Sequence, residues 1–321
     1  MPQGGGAILE GMNIVVMGAG AVGGYFGGRL AQAGHRVTLV ARGAHLRALQ
    51  ESGLRLRSPL GDADLERLPA VEDPRAGAPA SGPVDVVLFT VKAQDSAAAA
   101  ERVAPLVTAG TRVLTLQNGV DGVEVLRRRF GDERVLAGVA YIEALVAKPG
   151  EIVHKSPFAR VVFGPLGAHD ARAEELAGAF REAGVEATLD ADPMVAVWRK
   201  WLLICAFSGL TALTRKPIGQ VVERRETRDL LRRAMEEIAA LAAARGVALP
   251  ADAVDGAMTF ARETAEPTMT SSLAQDLAAG KRLELEALNG AASRMGRELG
   301  VATPVNDFVY AALVLHGEGA T

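Results

Sequence analysis

Apolar and polar positions follow two different rhythms along this chain. Up to about Ala191, short apolar runs alternate with mixed segments. Ile14–Met17, Val37–Val40, Val84–Thr90 and Arg112–Leu116 read as strands separated by helical or mixed spacing, the pattern of a parallel sheet with helices on its faces. Runs at Val135–Ile142, Glu151–His154 and Arg160–Phe163 predict further strands that extend the same sheet. From Asp192 the period becomes helical, with hardly a strand signal. Helices are expected over Met194–Thr214, Thr227–Arg245, Ala251–Thr264, Ser272–Ala279, Leu283–Leu299 and Val305–Leu315. The change falls at "LDADPM", where Pro193 can open a helix. The reading is an α/β domain over 12–191 and an all-α domain over 192–321. Residues 1–11 are expected to be a disordered extension, with Met12 an alternative start.

Composition narrows the function. A length of 321 residues suits about two domains, and 49% hydrophobic with 23% charged residues is the balance of a soluble globular protein. A net charge of -3 and a pI near 6.0 leave no basic footprint, so neither nucleic acid nor an anionic membrane is the expected partner. The chain has 1 cysteine, so an internal disulfide is excluded and a reducing, cytoplasmic compartment fits. No apolar run reads as long enough to span a bilayer, and the N-terminus lacks the charged and apolar regions of a secretion signal. Lysine is scarce against arginine, which makes each lysine worth inspecting.

The first strand runs into Gly18-Ala19-Gly20-Ala21-Val22-Gly23, and a helix is expected to follow. Strand, glycine turn and helix in that order are the Rossmann-type dinucleotide fingerprint. Gly18 allows the tight turn, Gly20 lets a pyrophosphate approach the backbone, and Gly23 lets the helix pack on the strand. The helix N-terminus offers free N–H groups to phosphates. The second strand ends in Ala41-Arg42, where an NAD site usually carries a carboxylate. Arg42 could grip a 2′-phosphate, favouring NADP(H), or could be a solvated loop residue.

The helix "MVAVWRKWLLICAFSGLTAL" is apolar nearly all round yet contains Lys200. Lys200, Ile204, Ser208 and Thr211 form one stripe, read as the wall of a cleft facing the first domain. A lysine that snorkels to solvent is the alternative. In "KRLELEALNGAASRMGREL", a continuous helix would put Glu284 at the edge of the apolar face and Glu286 in solvent. Asn289-Gly290 is a poor mid-helix pair. Among Thr270, Ser271 and Ser272, a hydroxyl could cap a helix or face a ligand. Lys92 in "TVKAQD" and Asn118 in "LQNGV" fall at strand C-terminal ends, where open α/β sheets bind ligands. Asn118-Gly119 could equally be an ordinary turn. The histidines are scattered and make no metal spacing, and Cys205 reads as core.

Together "GAGAVGGYFGGRLAQAGHRVTLVAR", "TVKAQD", "LQNGV", "WRKWLLICAFSGLTAL" and "SSLAQDLAAGKRLELEALNG" resemble the ketopantoate reductases (2-dehydropantoate 2-reductases) from Met12 to about His316. The resemblance implies a helical domain like the C-terminal one of 6-phosphogluconate dehydrogenase. It implies that Gly18, Gly20 and Gly23, with Ala21 and Val22, bind the cofactor pyrophosphate. Arg42 and Lys92 would contact the adenosine phosphate end, and Asn118 the nicotinamide and substrate junction. Lys200 would be the general acid, shielded by Trp198 and with a lowered pKa. Glu284 would organise the lysine and substrate, and Ser272 would hold a polar group of the substrate. The activity implied is NADPH-dependent reduction of ketopantoate to pantoate in pantothenate biosynthesis. One departure stands out. Family members usually carry asparagine where this chain has Ile204 and Ser208, so a different 2-oxo or hydroxy acid stays open as substrate. A non-catalytic NADP(H) sensor is the reading from another class. The apolar helical half could pair two copies as a homodimer, although no stretch demands it.

Overall fold

A computed structural model describes residues 11–77 and 82–319. Of the expected extension, residues 1–10 lie outside the described residues. In chain order the strands are β1 (Asn13–Met17), β2 (Arg36–Val40), β3 (Leu54–Arg57), β4 (Ala63–Leu65), β5 (Ala70–Val71), β6 (Val86–Phe89), β7 (Arg112–Thr115), β8 (Val135–Tyr141), β9 (Ala144–Lys148), β10 (Glu151–His154), β11 (Arg160–Pro165) and β12 (Glu186–Leu189). The helices of the first half are α1 (Ala21–Gln32), α2 (Gly43–Ser52), α3 (Ser96–Val103), α4 (Asp121–Phe130) and α5 (Ala171–Glu182). Those of the second are α6 (Pro193–Thr214), α7 (Ile218–Glu223), α8 (Arg225–Ala244), α9 (Ala253–Thr259), α10 (Ser272–Ala278), α11 (Asn289–Leu299) and α12 (Pro304–Leu313).

The main sheet has the order β12-β11-β8-β7-β6-β1-β2-β5, parallel throughout except for the β8–β11 pair. β1 is buried at every position, as a central parallel strand covered on both faces must be. The chain leaves β1 towards β2 on one side and resumes at β6 on the other. This reversal opens a crevice beyond the C-terminal ends of β1 and β6, the ligand position of open α/β sheets.

The sequence pattern has β10 extending this sheet, but it joins a second one of order β4-β3-β10-β9. Its side chains alternate between buried and half-buried, the mark of a strand with one face on a core. That face packs on α1, whose glycines form two rows. A Cβ on Gly27 would meet Val16 Cγ2 of the main sheet at 2.7 Å, while one on Gly28 would meet Leu56 Cδ1 of the second sheet at 2.9 Å. Gly24 lies against Ile152 of β10 in the same way. Helix α1 is therefore clasped between two sheets, which accounts for glycines in excess of the dinucleotide turn.

In the second half, α6 is the central helix. It runs for 22 residues, and an 18-residue window of it has a mean hydropathy of 1.3, long and apolar enough by length and composition to cross a membrane, which corrects the expectation that no run reaches that length. Its apolar positions are spent on this chain's own core, against α8, α10 and α12 and on strands β8 and β11. The helix expected over Leu283–Leu299 is broken. A short 3-10 turn spans Leu285–Ala287, Leu288 adopts φ -105° and ψ -103°, and α11 starts at Asn289. Gly290 has no room for a side chain, since a Cβ would meet Glu286 Oε2 at 2.9 Å and Tyr310 at 3.0 Å. The expected helix over Ala251–Thr264 ends as α9, followed by a π turn over Phe260–Thr264. The sequence pattern missed β3, β4, β5, β9, β12 and α7, all short segments.

Candidate active site

A cavity of ≈ 590 Å³ fills the crevice between the two halves. It is lined by Gly18, Gly20, Ala21, Val22, Arg42, Lys92 and Asn118 of the first half and by Lys200, Ser272 and Glu284 of the second. Gly23, Ile204 and Ser208 are not among its lining residues.

At the glycine turn, each glycine has a separate reason. Gly18 adopts φ +105°, and a Cβ there would sit 2.7 Å from Val91 N. Gly23 lies against the Gly18 carbonyl and Thr90, whose hydroxyl donates to Gly18 O at 2.9 Å. At Gly20 nothing stands within 4 Å of a Cβ position, so the backbone is bare to the cavity. Gly20 caps α1 with no side chain bonded to the first-turn N–H groups. An open cradle at a helix N-terminus fits a dinucleotide's pyrophosphate.

Arg42 stands at the cavity rim, exposed, its guanidinium 3.0 Å from Asp95 Oδ2. Lys92, expected beside Arg42, is held by the other half: its Nζ lies 2.9 Å from Glu284 Oε2 and 3.3 Å from Asp276 Oδ2. Burial works against its charge, but the two carboxylates prevail and its pKa is raised. Glu284 also accepts the Ala93 N–H at 3.1 Å. It can do so because the chain has left the helical path at this point. Its cleft position thus comes from the break before α11, not from a helix face. Glu286 is exposed as expected and accepts from Tyr310 at 2.6 Å.

Lys200 projects from α6 and donates to Ala140 O, the penultimate residue of β8, at 2.7 Å. The aromatic ring facing it is that of Tyr141, with Nζ 5.8 Å from the centroid. The expected shield, Trp198, instead packs edge-on against Trp201. The side chain is half-buried overall, but its ammonium end is sunk in the cleft. Burial pushes its pKa down to about 8, with Glu284 opposing. The expected stripe keeps only Lys200 at the cavity. Ile204 is half-buried against the helical core, Ser208 is buried, and Thr211 bonds Ser271 Oγ at 2.9 Å. Each is a turn or more deeper along α6, about 6 Å per four residues.

Ser271 caps α10 by accepting from Ala274 N at 3.0 Å, which leaves the next hydroxyl, Ser272, to the cavity. Asn118 precedes Gly119, whose φ of +85° brings its backbone against Ala287 O, so the "QNG" turn docks on the broken helix. Asp276, Tyr141 and His45 were missed in the sequence. Asp276 lies within "SSLAQDLAAGKRLELEALNG", one of the stretches that carry the resemblance. Among the described residues no group of three or more His, Cys, Asp or Glu could hold a metal ion.

Two family models cover the chain: ketopantoate reductase PanE/ApbA matches residues 14–168, and its C-terminal counterpart matches 192–316. The chain belongs to the ketopantoate reductase family. Within that family, a 2-dehydropantoate 2-reductase of Halobacterium salinarum is 36% identical over 92% of this chain and 95% of its own. The crystal structure of a family member from Ralstonia eutropha superposes with a TM-score of 0.86 at 38% identity, covering 95% of this chain and 98% of that one. D-mandelate dehydrogenase, solved with NADH and anilino(oxo)acetate, shares the fold with a TM-score of 0.86 at 24% identity over 95% and 98% of the two chains.

Proposed function

We propose that this chain reduces the keto group of a 2-oxo acid, ketopantoate first among them, using NADPH, with Lys200 as the proton donor. The observation that carries the reading is Lys200, with its pKa near 8, in the same cavity as the bare Gly20 backbone. Bound NADPH supplies the hydride. Gly18, Gly20, Ala21 and Val22 form the cradle for its pyrophosphate, with Gly23 packing the helix start behind it, and Arg42 has the reach and planar fork for a 2′-phosphate. A ketone that accepts a hydride gains charge on oxygen, and the Nζ of Lys200 both neutralises that charge and delivers the proton that completes the alcohol. Asn118 and Ser272 offer polar groups to the substrate, and Glu284 holds Lys92 across the cleft.

A second substrate is favoured by one observation. The cavity wall beyond Ala140 is Ile142, Ala144 and Val146, an apolar surface suited to a 2-oxo acid with a hydrocarbon side chain. Ile204 lies outside the cavity lining and does not by itself argue against ketopantoate.

The test is NADPH oxidation by the purified protein with ketopantoate and with smaller and bulkier 2-oxo acids. A kcat/KM of about 10⁴ M⁻¹s⁻¹ or more for ketopantoate supports the assignment. Turnover of a bulkier apolar acid alone moves the substrate, and NADPH binding without any turnover favours a sensor. For cofactor choice, Arg42→Ala should cut the preference for NADPH over NADH by about tenfold, the range of one charge-assisted bond. An unchanged preference removes Arg42 from the 2′-phosphate site.

A further inference from the structure

His45 on α2, itself lining the cavity, joins the backbone of the glycine turn to the turn between β9 and β10. Its Nε2 lies 2.8 Å from Ala19 O, and its Nδ1 lies 3.1 Å from Gly150 N. The roles of the two nitrogens follow from the partners. A carbonyl only accepts, so Nε2 carries the hydrogen; an amide N–H only donates, so Nδ1 accepts. The neutral Nε2–H tautomer alone satisfies both bonds. Burial favours that neutral form by lowering the ring's pKa.

We propose that His45 is a positioning residue for the dinucleotide, which sets the orientation of the glycine turn through Ala19 O; this rests on the dinucleotide reading above. Ala19 is the middle residue of Gly18-Ala19-Gly20. The N–H groups of Gly18 and Ala19 are tied to Val40 O at 3.3 and 3.0 Å. His45 supplies the corresponding tie on the carbonyl side. In a trans peptide, C=O and N–H point in opposite directions. Pinning Ala19 O therefore fixes the Gly20 N–H and the plane of the peptide that enters the bare cradle. The other bond runs to Gly150, at φ +79° in the turn between β9 and β10. β9 carries Ala144 and Val146 of the cavity wall. One ring thus couples the phosphate cradle to the apolar wall.

Two side-chain isosteres separate the two bonds. Glutamine can place an amide nitrogen near the Nε2 position, keeping the bond to Ala19. Asparagine can place an oxygen near Nδ1, keeping only the bond to Gly150. Dissociation constants for NADPH and NADH would be measured by fluorescence titration on the full chain for wild type, His45→Gln, His45→Asn and His45→Ala, together with Tm. Loss of the bond to Ala19 O predicts a Kd for both dinucleotides raised about five- to tenfold in His45→Ala and His45→Asn, with the kinetic loss falling on the KM for NADPH more than on kcat. His45→Gln should return Kd to within about threefold of wild type. Equal binding by wild type and His45→Ala, or rescue by asparagine rather than glutamine, overturns the assignment while leaving the dinucleotide reading intact. A wild-type protein that binds neither dinucleotide overturns that reading and the assignment with it. If the alanine variant does not fold, the glutamine and asparagine pair decides between the same outcomes.

Discussion

The glycine turn and Lys200 face one cavity, but they are held there by different physics. The turn is a backbone device. Gly18 supplies the positive φ, Val40 O takes two N–H groups, and Gly23 brings α1 down onto Thr90. Every determinant is steric or a neutral hydrogen bond. Lys200 is an electrostatic device. Its pKa is the balance of burial against the Glu284 charge, and its ammonium hangs on a carbonyl 60 residues away. A steric site fails by clash and carries no charge of its own. An electrostatic site keeps its shape when mutated and fails in its titration. The two halves of the cavity should therefore respond to substitution in separable ways.

The largest effect is expected at Lys200. Lys200→Met removes the proton donor and should lower kcat by about 10³-fold, in the range of general acid catalysis, while Kd for NADPH stays within about twofold. Its stability effect has the opposite sign. Because burial has lowered the Lys200 pKa to about 8, the folded protein binds fewer protons than the unfolded chain between pH 8 and the ordinary lysine value, and stability rises with pH across that window. Below it the full cost of the buried charge applies. At pH 7 the methionine variant should melt higher than wild type. A lower Tm would show that the bond to Ala140 outweighs desolvation.

At the turn the next contrast is between two glycines. Gly23→Ala drives a methyl into the Gly18 carbonyl, a backbone atom that cannot move aside, and should destabilise the fold by about 1–3 kcal/mol. Gly20→Ala meets nothing within 4 Å, so Tm should hold while NADPH affinity falls about tenfold or more as the methyl enters the cradle. Thermal melts beside fluorescence titrations separate the two. A Gly20→Ala protein that binds NADPH normally would move the phosphate site elsewhere.

These two regions were also unequally visible in the sequence. The turn is six consecutive residues whose spacing alone prescribes its geometry, so the role of each glycine could be assigned from the chain. The family resemblance brought Lys200 and Glu284 together, but their surroundings could not be seen. Lys92 and Glu284 are 192 residues apart. The helix break that frees Glu284 falls at residues 285–288, so a regular 100° wheel could put Glu284 only at the edge of an apolar face that this segment does not form. Tyr141 stands beside Lys200 in place of Trp198, whose ring packs edge-on against Trp201. The second sheet was missed because its strands lack a sustained apolar run, β3 reading Leu-Arg-Leu-Arg and β9 ending in exposed positions, although the surplus glycines of α1 recorded its presence.

Glu284→Gln tests the electrostatic half directly. The Glu284 charge raises the Lys200 pKa against burial, so removing it should move the basic limb of the kcat/KM profile below pH 8. Reduction needs protonated Lys200, so activity is full below the limb and falls above it. The variant should therefore lose most, relative to wild type, at and above pH 8. A limb that stays in place would mean that the Glu284 charge does not control the Lys200 titration.

The smallest effect should come from Glu286→Gln, and it is informative for that reason. Glu286 has the same charge as Glu284 and lies two residues away, but its side chain is 61% exposed and bonded to Tyr310. Water and salt screen an exposed carboxylate within about a Debye length, about 8 Å at physiological ionic strength. Glu286→Gln should leave the pH limb in place, and as a surface change it should alter stability by no more than about 0.5 kcal/mol. The comparison is made at low and at physiological salt. If Glu286→Gln moves the limb as far as Glu284→Gln does at both, Lys200 responds to the net charge of the helical half rather than to one carboxylate in the cleft. A limb that moves with Glu284 alone, and alike at both salt concentrations, means that the broken helix before α11 is what places the controlling charge.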